Sequence, residues 1–341
     1  MLDRTTYNNR ITTSGRQIGY DQIALGVGVA IVAASVAALL ERVARPHGRI
    51  SNPRSPGRAI RPAGRPQALS DLTVRAGRRL NGAAGTLAFS VLADSAIEHY
   101  RGSFNNPVMY TPLAVSALAL GVSLHGVADE QGAAVRVRHA TYFASALTGL
   151  LGSGFHVYNI VKRPGRLDWQ NLFYGAPVGA PMALLLSGLL GVFAERVRDA
   201  EAGETPRVLG IPAGRAAAAV ASVGLLGTSG EAALLHFRGA FHDPFMVLPV
   251  TLPPVAAALL ARTAAGGRGR AVTRWGLRVT AALGFAGMGF HAFGVARNMG
   301  GWRNWSQNVL NGPPLPAPPS FTGLALAGLA ALALLEENRN A

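Results

Sequence analysis

The chain contains no cysteine. That excludes disulfides, thiolate metal sites and cysteine-ligated iron–sulfur clusters, and it leaves imidazole and carboxylate as the strong metal ligands. Lysine occurs once, at Lys162, so almost all the positive charge is arginine. Charged residues make up only 14% of 341 residues and aromatics 7%, too little charge for an ordinary soluble protein of mean hydropathy +0.25. Also missing are a phosphate-binding glycine loop, a nucleophile elbow, a zinc-protease His-Glu-x-x-His and close-spaced His boxes. The Gly-x-Gly at Gly26 and Gly28 lies inside an apolar run and is no nucleotide fingerprint. A net charge of +15 raises the question of nucleic acid. The arginines, however, sit between apolar runs with few aromatics beside them, so nucleic acid is not the expected partner.

What is present is apolar sequence gathered into runs of about 20 residues, the length that crosses a bilayer. A tandem repeat organises them. His99-Tyr100-Arg101-Gly102-Ser103-Phe104-Asn105-Asn106-Pro107-Val108-Met109 returns as His236-Phe237-Arg238-Gly239-Ala240-Phe241-His242-Asp243-Pro244-Phe245-Met246, 137 residues later. Asp94 upstream has its counterpart in Glu231. A second block, Gly154-Phe155-His156, returns as Gly289-Phe290-His291 at an offset of 135. Gln170-Asn171, Gly175, Pro177 and Pro181 recur as Gln307-Asn308, Gly312, Pro314 and Pro318.

These features predict an all-α polytopic integral membrane protein of about nine transmembrane helices. Residues 1–41 read as a polar leader and a retained N-terminal anchor (Ile23 to Leu40), and 42–80 as an irregular basic Arg/Pro/Gly-rich linker on the cytoplasmic side. Residues 81–200 and 201–341 read as two four-helix repeats in parallel orientation, because an even number of spans per repeat preserves direction. With the linker cytoplasmic, 22 of the 32 Lys and Arg fall on that side. The positive-inside rule then puts the N-terminus outside, the C-terminus inside, and both His motifs at the outer face, in what reads as a bacterial cytoplasmic membrane.

That topology gathers His99, His156, His236 and His291 at one depth, with Asp94 and Glu231 somewhat deeper. Almost no ionisable residue lies deeper still, which argues against an ion route across the midplane. The four His could supply bis-imidazole ligation to one or two b-type haems, with Arg101 and Arg238 at the rim for propionates. In His placement alone the chain is similar to the haem-b membrane subunits of respiratory dehydrogenases. The resemblance implies electron transfer with an extracytoplasmic dehydrogenase or other complex subunits.

Other readings stay open on the same residues. The four His with Asp94 and Glu231 could hold non-haem Fe, Zn, Cu or Mn, and Met109 or Met246 could add a soft ligand for copper. Glycines 149, 152, 154, 284, 287 and 289 make either a groove for a flat cofactor or a close helix contact. With no cofactor at all, Asp94 could pair with Arg101 and Glu231 with Arg238, the His could bond loop carbonyls, and the protein would be a transporter or scaffold. Trp169, Gln170, Asn171, Phe173 and Tyr174, with Trp302, Trp305, Gln307 and Asn308, read as an interfacial belt that could also line a quinone headgroup pocket. His47, His125 and His139 lack repeat partners and read as solvated or interfacial.

Overall fold

A computed structural model describes residues 66–129, 134–200, 204–266 and 270–340. The leader, the anchor at Ile23 to Leu40 and most of the basic linker lie outside the described residues. Ten helices are described: α1 (Pro66–Arg101), α2 (Thr111–Ala128), α3 (Val135–Val161), the short α4 (Trp169–Tyr174), α5 (Gly179–Arg198), α6 (Ala213–Arg238), α7 (Leu248–Ala264), α8 (Arg270–Arg297), the short α9 (Trp305–Asn311) and α10 (Pro319–Asn340). A two-residue antiparallel ladder, β1 (Arg207–Val208) with β2 (Ile211–Pro212), joins α5 to α6, with Val208 opposite Ile211.

Among the described residues seven helices are long and apolar enough to cross a membrane: α1, α2, α5, α6, α7, α8 and α10. α3 is 27 residues long but carries Tyr142, Ser145, Ser153 and His156 along its length, which lowers its apolar content. Large apolar side chains stand exposed along the flanks, among them Leu118, Phe155, Val223, Trp275, Phe285 and Phe293. So much uncovered apolar surface belongs in lipid, and the protein is an integral membrane protein.

α1 packs on α2 and α5, and α3 packs on the same two, so α1 and α3 face each other diagonally across a four-helix group. In the second half α6 packs on α7 and α10, and α8 packs on the same two. The groups meet where α1 packs on α10 and α5 on α6. Leu80, Leu87, Leu190, Leu225 and Leu324 are fully buried there among alanines such as Ala83, Ala84, Ala217, Ala221 and Ala325. Between membrane helices such small residues bring backbones close, where dispersion contacts replace the hydrophobic drive that lipid does not supply.

α1 begins at Pro66, so residues 66–80 are helical rather than an irregular linker. The arginines there hide a helical stripe: Thr73, Ala76, Gly77 and Leu80 are buried, while Arg75 and Arg79 are exposed. Pro66 is tolerated because the first N–H of a helix has no partner to lose. At 36 residues α1 is about 54 Å long, more than a bilayer core requires, so it projects beyond the span.

Glycine decides how closely α3 approaches α5. A Cβ added at Gly188 would lie 2.4 Å from both the Ala146 nitrogen and the Tyr142 carbonyl oxygen, both backbone atoms that cannot step aside. Gly188→Ala should therefore lower stability by about 1–3 kcal/mol, as overpacking does. The control is Gly289→Ala, where an added Cβ meets nothing within 4 Å. Thermal unfolding of both variants in detergent checks this; equal midpoints would remove the contact from the account.

Candidate functional site

The two copies of the His-Arg-Gly motif build the same turn. The chain leaves α1 through Ser103 and Phe104 and leaves α6 through Ala240 and Phe241, all four at φ between 44° and 56°. Left-handed backbone costs a non-glycine residue roughly 1–2 kcal/mol, so other contacts must hold these residues in place. The Phe104 N–H donates to the His99 carbonyl and the Phe241 N–H to the His236 carbonyl, each at 3.0 Å. Asn106 and Asp243 then cap the 3₁₀ turns Pro107–Tyr110 and Pro244–Val247, accepting from the Val108 and Phe245 N–H.

Each reversal brings a carbonyl back to a His ring. His99 Nδ1 bonds the Met109 carbonyl at 2.6 Å and His236 Nδ1 the Met246 carbonyl at 2.8 Å. His291 Nδ1 bonds the Pro314 carbonyl at 2.6 Å, and His156 Nδ1 bonds the Pro177 carbonyl. A carbonyl only accepts, so Nδ1 carries the proton in all four rings. That leaves a lone pair on every Nε2, and among the described residues none of them has a hydrogen-bond partner. A backbone carbonyl fixing Nδ1–H is also how ligating histidines are oriented.

The four rings divide two and two between the halves. His99 and His156 lie near enough to act on each other electrostatically, as do His236 and His291. Each pair spans the diagonal of its own four-helix group, α1 to α3 and α6 to α8. Among the described residues no three His, Asp or Glu side chains come close enough to hold a metal ion.

Asp94 and Glu231 instead lie near enough to act on each other electrostatically across the boundary between the halves. Glu231 accepts the Gly179 N–H at the start of α5 at 3.0 Å. The place matching Gly179 in the other half is Pro316, which has no N–H, and Asp94 makes no hydrogen bond among the described residues. Arg101 pairs with Glu98 at 3.0 Å rather than with Asp94, and donates to the Leu310 carbonyl of the opposite half. Arg238 lies over the ring of Tyr174, 5.3 Å from its centre, again reaching across. Both arginines therefore tie the halves together at the His-bearing end.

The remaining motif residues resolve as packing. Met109 and Met246 lay their terminal methyls on Gly102 and Gly239, 3.2 and 3.1 Å from where a Cβ would stand. Gly149 meets the α5 backbone, with 2.2 Å from a built Cβ to the Leu185 nitrogen, and Gly152 meets Pro181. Gly284 and Gly287 likewise meet Thr322 on α10 and Pro318 in the turn just before it. At those four glycines the helix contact fills the space a flat cofactor would need. Asn171 donates to the Pro164 and Arg166 carbonyls and Asn308 to those of Met299 and Gly301, so both amides tie their own loops.

Between α4 of the first half and the end of α6 lies an apolar cleft of about 850 Å³, whose walls include Trp169, Gln170, Phe173, Phe237 and Phe241. Its counterpart between α9 and the end of α1, about 460 Å³, is lined by Arg101, Ser103 and Asn311 along with Tyr100 and Phe104.

The opposite end of the first half holds a buried polar cluster that the sequence did not single out. Arg138, 1% exposed, bonds Asp129 at 2.8 Å and Glu195, itself 0% exposed, at 2.7 Å. Asn81 donates to Glu195 at 3.2 Å, Tyr142 donates to Asn81, and Ser123 lies 3.1 Å from the Tyr142 hydroxyl. His125, although exposed, bonds Arg138 at 3.0 Å, and the largely covered His139 approaches Asp199 at 3.8 Å, so both are engaged rather than freely solvated. His47 lies outside the described residues. The matched positions in the second half are Ala218, Leu260, Thr273, Leu277 and Leu332, all buried. Only comparison of the two copies, polar against apolar, would have exposed the cluster in sequence.

Fold and site together define a polytopic helical membrane protein with two carbonyl-bonded histidines at one end of each half. Compared with protein-family models, with curated proteins and with solved structures, the chain matches none.

Proposed function

We propose that the protein is an integral-membrane electron-transfer subunit binding one b-type haem in each half, through His99 and His156 in the first and His236 and His291 in the second. The observation that carries this reading is the arrangement of the rings. Each pair stands on the two diagonal helices of one four-helix group, every Nδ1 held by a backbone carbonyl and every Nε2 left with the lone pair of the neutral ring. Haem would supply one-electron chemistry; the chain orients the imidazoles, and the ring would lie clear of Gly149, Gly152, Gly284 and Gly287, whose space neighbouring residues fill. Arg238, whose guanidinium makes only the Tyr174 ring contact among the described residues, keeps N–H donors for a propionate, and Arg101 stands at the matching place.

In this reading the halves are parallel repeats related by an axis along the membrane normal, and with α3 and the anchor the spans number nine. The arginine distribution supports a His-bearing end outside and a C-terminus inside, in a membrane read as the bacterial cytoplasmic one. The electron partner is then an extracytoplasmic dehydrogenase or a quinone. The non-haem alternative has less support, because among the described residues Asp94 and Glu231 join no cluster of His or carboxylates. The test is a reduced-minus-oxidised spectrum of the purified protein with metal analysis of the same preparation. Soret and α bands of a six-coordinate b-haem are expected. A featureless spectrum with stoichiometric Fe, Zn, Cu or Mn would transfer the site to the non-haem reading, and one with no metal would leave a transporter or scaffold.

A further inference from the structure

We propose that the cleft between α4 and α6 is a binding site for the ring of a membrane quinone, with the isoprenoid tail running along α6. The inference rests on the electron-transfer reading for its purpose, but its geometry is independent of it. Three properties of the cleft select this ligand class.

The first is wall chemistry. Trp169 and Phe173 come from one half and Phe237 and Phe241 from the other, and Phe173 meets both Trp169 and Phe237 edge-on at 5.7 Å between ring centres. Aromatic walls hold a flat ring by offset or edge contacts, and the volume falls in the range of about 300–1,000 Å³ usual for small-molecule sites. No charged side chain lines the cleft; its polar side chains are the Gln170 amide and the Tyr174 phenol. A quinone ring is neutral and offers two carbonyl acceptors, which an amide N–H and a phenol can meet. An acyl chain would need neither donor.

The second is the floor. Gly230 and Ala233 lie on the same α6 face as Val223, Leu226 and Gly227, at helical spacing. A Cβ at Gly227 or Gly230 would meet nothing within 4 Å, and Val223 and Leu226 are exposed, so the cleft continues as a shallow apolar channel toward the hydrocarbon. At Gly227's matched position in the first half, Ser90 is buried and donates to the Pro316 carbonyl. That face of α1 is covered by the second half, whereas the α6 face is open.

The third is position. The Phe241 ring that lines the cleft stands edge-on to His236, 6.1 Å between centres, so a ring in the cleft lies one side chain from a candidate haem ligand. The smaller cleft in the other half brings Arg101, Ser103 and Asn311 to the same place and suits a polar occupant.

The experiment is titration of the purified protein in nanodiscs with decylubiquinone, read by tryptophan fluorescence. Saturable quenching is expected, at least tenfold weaker in Gly230→Phe, where the new Cβ has nothing within 4 Å and the ring would occupy the floor, and weakened also in Gln170→Leu. Ser103→Phe, in the other cleft, should titrate as wild type. A Gly230→Phe protein of unchanged elution profile that binds decylubiquinone as tightly as wild type would overturn the proposal. So would decanoic acid competing as well as decylubiquinone, which would mark an acyl-chain surface. Quinone binding by a protein without a Soret band would end the haem reading and keep this one; a Soret band without quinone binding would do the reverse.

Discussion

Replacing His99 with alanine should remove half the haem and leave the other half spectrally unchanged. His156→Ala should do the same to the same half, and the double variant His99→Ala/His156→Ala should lose no more than either alone. His236→Ala or His291→Ala should remove the other half, and His99→Ala/His236→Ala should remove all of it. The expectation follows from placement: each half carries two of the rings on its diagonal helices, and no three His or carboxylates come together among the described residues. A single site shared by four rings would instead lose all its pigment in any single variant. The haem-to-protein ratio measures this directly. Removing an imidazole also removes its carbonyl bond, worth about 1 kcal/mol, and its edge contact with Phe104 or Phe241. Phe104→Leu is the control, because it loosens the turn and keeps the ligand. It should retain both haems, and its loss of pigment would reassign the His effects to folding.

The second large effect lies at the other end. Glu195→Ala leaves Arg138 with less than its full complement of carboxylate in a site 1% exposed, and breaking a buried pair costs about 3–5 kcal/mol. The second half shows an apolar solution to the same packing problem. Gly191 makes room for the Tyr142 ring, 2.2 Å from a built Cβ, and the matched Gly328 makes room for Leu277, 2.8 Å away. Transplanting the apolar set into the first half (Asn81→Ala, Ser123→Leu, Arg138→Thr, Tyr142→Leu and Glu195→Leu together) should therefore recover most of that loss, since a buried ion pair replaced whole by packed apolar groups is often neutral. Denaturant unfolding in micelles compares the two proteins. An unperturbed Glu195→Ala, or a fivefold variant less stable than it, would refute the comparison between halves. What the polar cluster adds is specificity: Arg138 reaches Asp129 at the end of α2 and Glu195 on α5 at once, fixing three helix ends in one arrangement.

The motif residues were legible as a set before their roles were. The spacing from His99 to Met109, repeated from His236 to Met246, marks something shared, and in space it is a turn. Gly102 and Gly239 seat the Met methyl, Asn106 and Asp243 cap, and the Met carbonyl receives the His proton. Arg101 and Arg238 looked local in sequence, seven residues from an acid on one helix face. In space each reaches into the opposite half, because the short helices α4 and α9 pack on α6 and α1 across the boundary. The stretch 66–80 misled for a different reason. Arginine and proline density resembles a loop, while the buried stripe from Thr73 to Leu80 shows only when the neighbouring helices are in place.

Sequence by itself determined that this chain is a helical membrane protein, because apolar runs of bilayer length have no other stable home. It also determined which residues belong together in the two copies, since matched spacings survive without reference to space. Only the tertiary structure decided that the histidines stand on diagonal helices of each half, that Gly149 and Gly284 near them are met by neighbouring backbone while Gly289 meets nothing, and that one half keeps its charge where the other packs leucine. Those outcomes depend on which helices touch. Contacts between residues more than 100 positions apart, such as Asn81 with Glu195 or Arg101 with Leu310, are set by the closure of the whole bundle rather than by any local pattern.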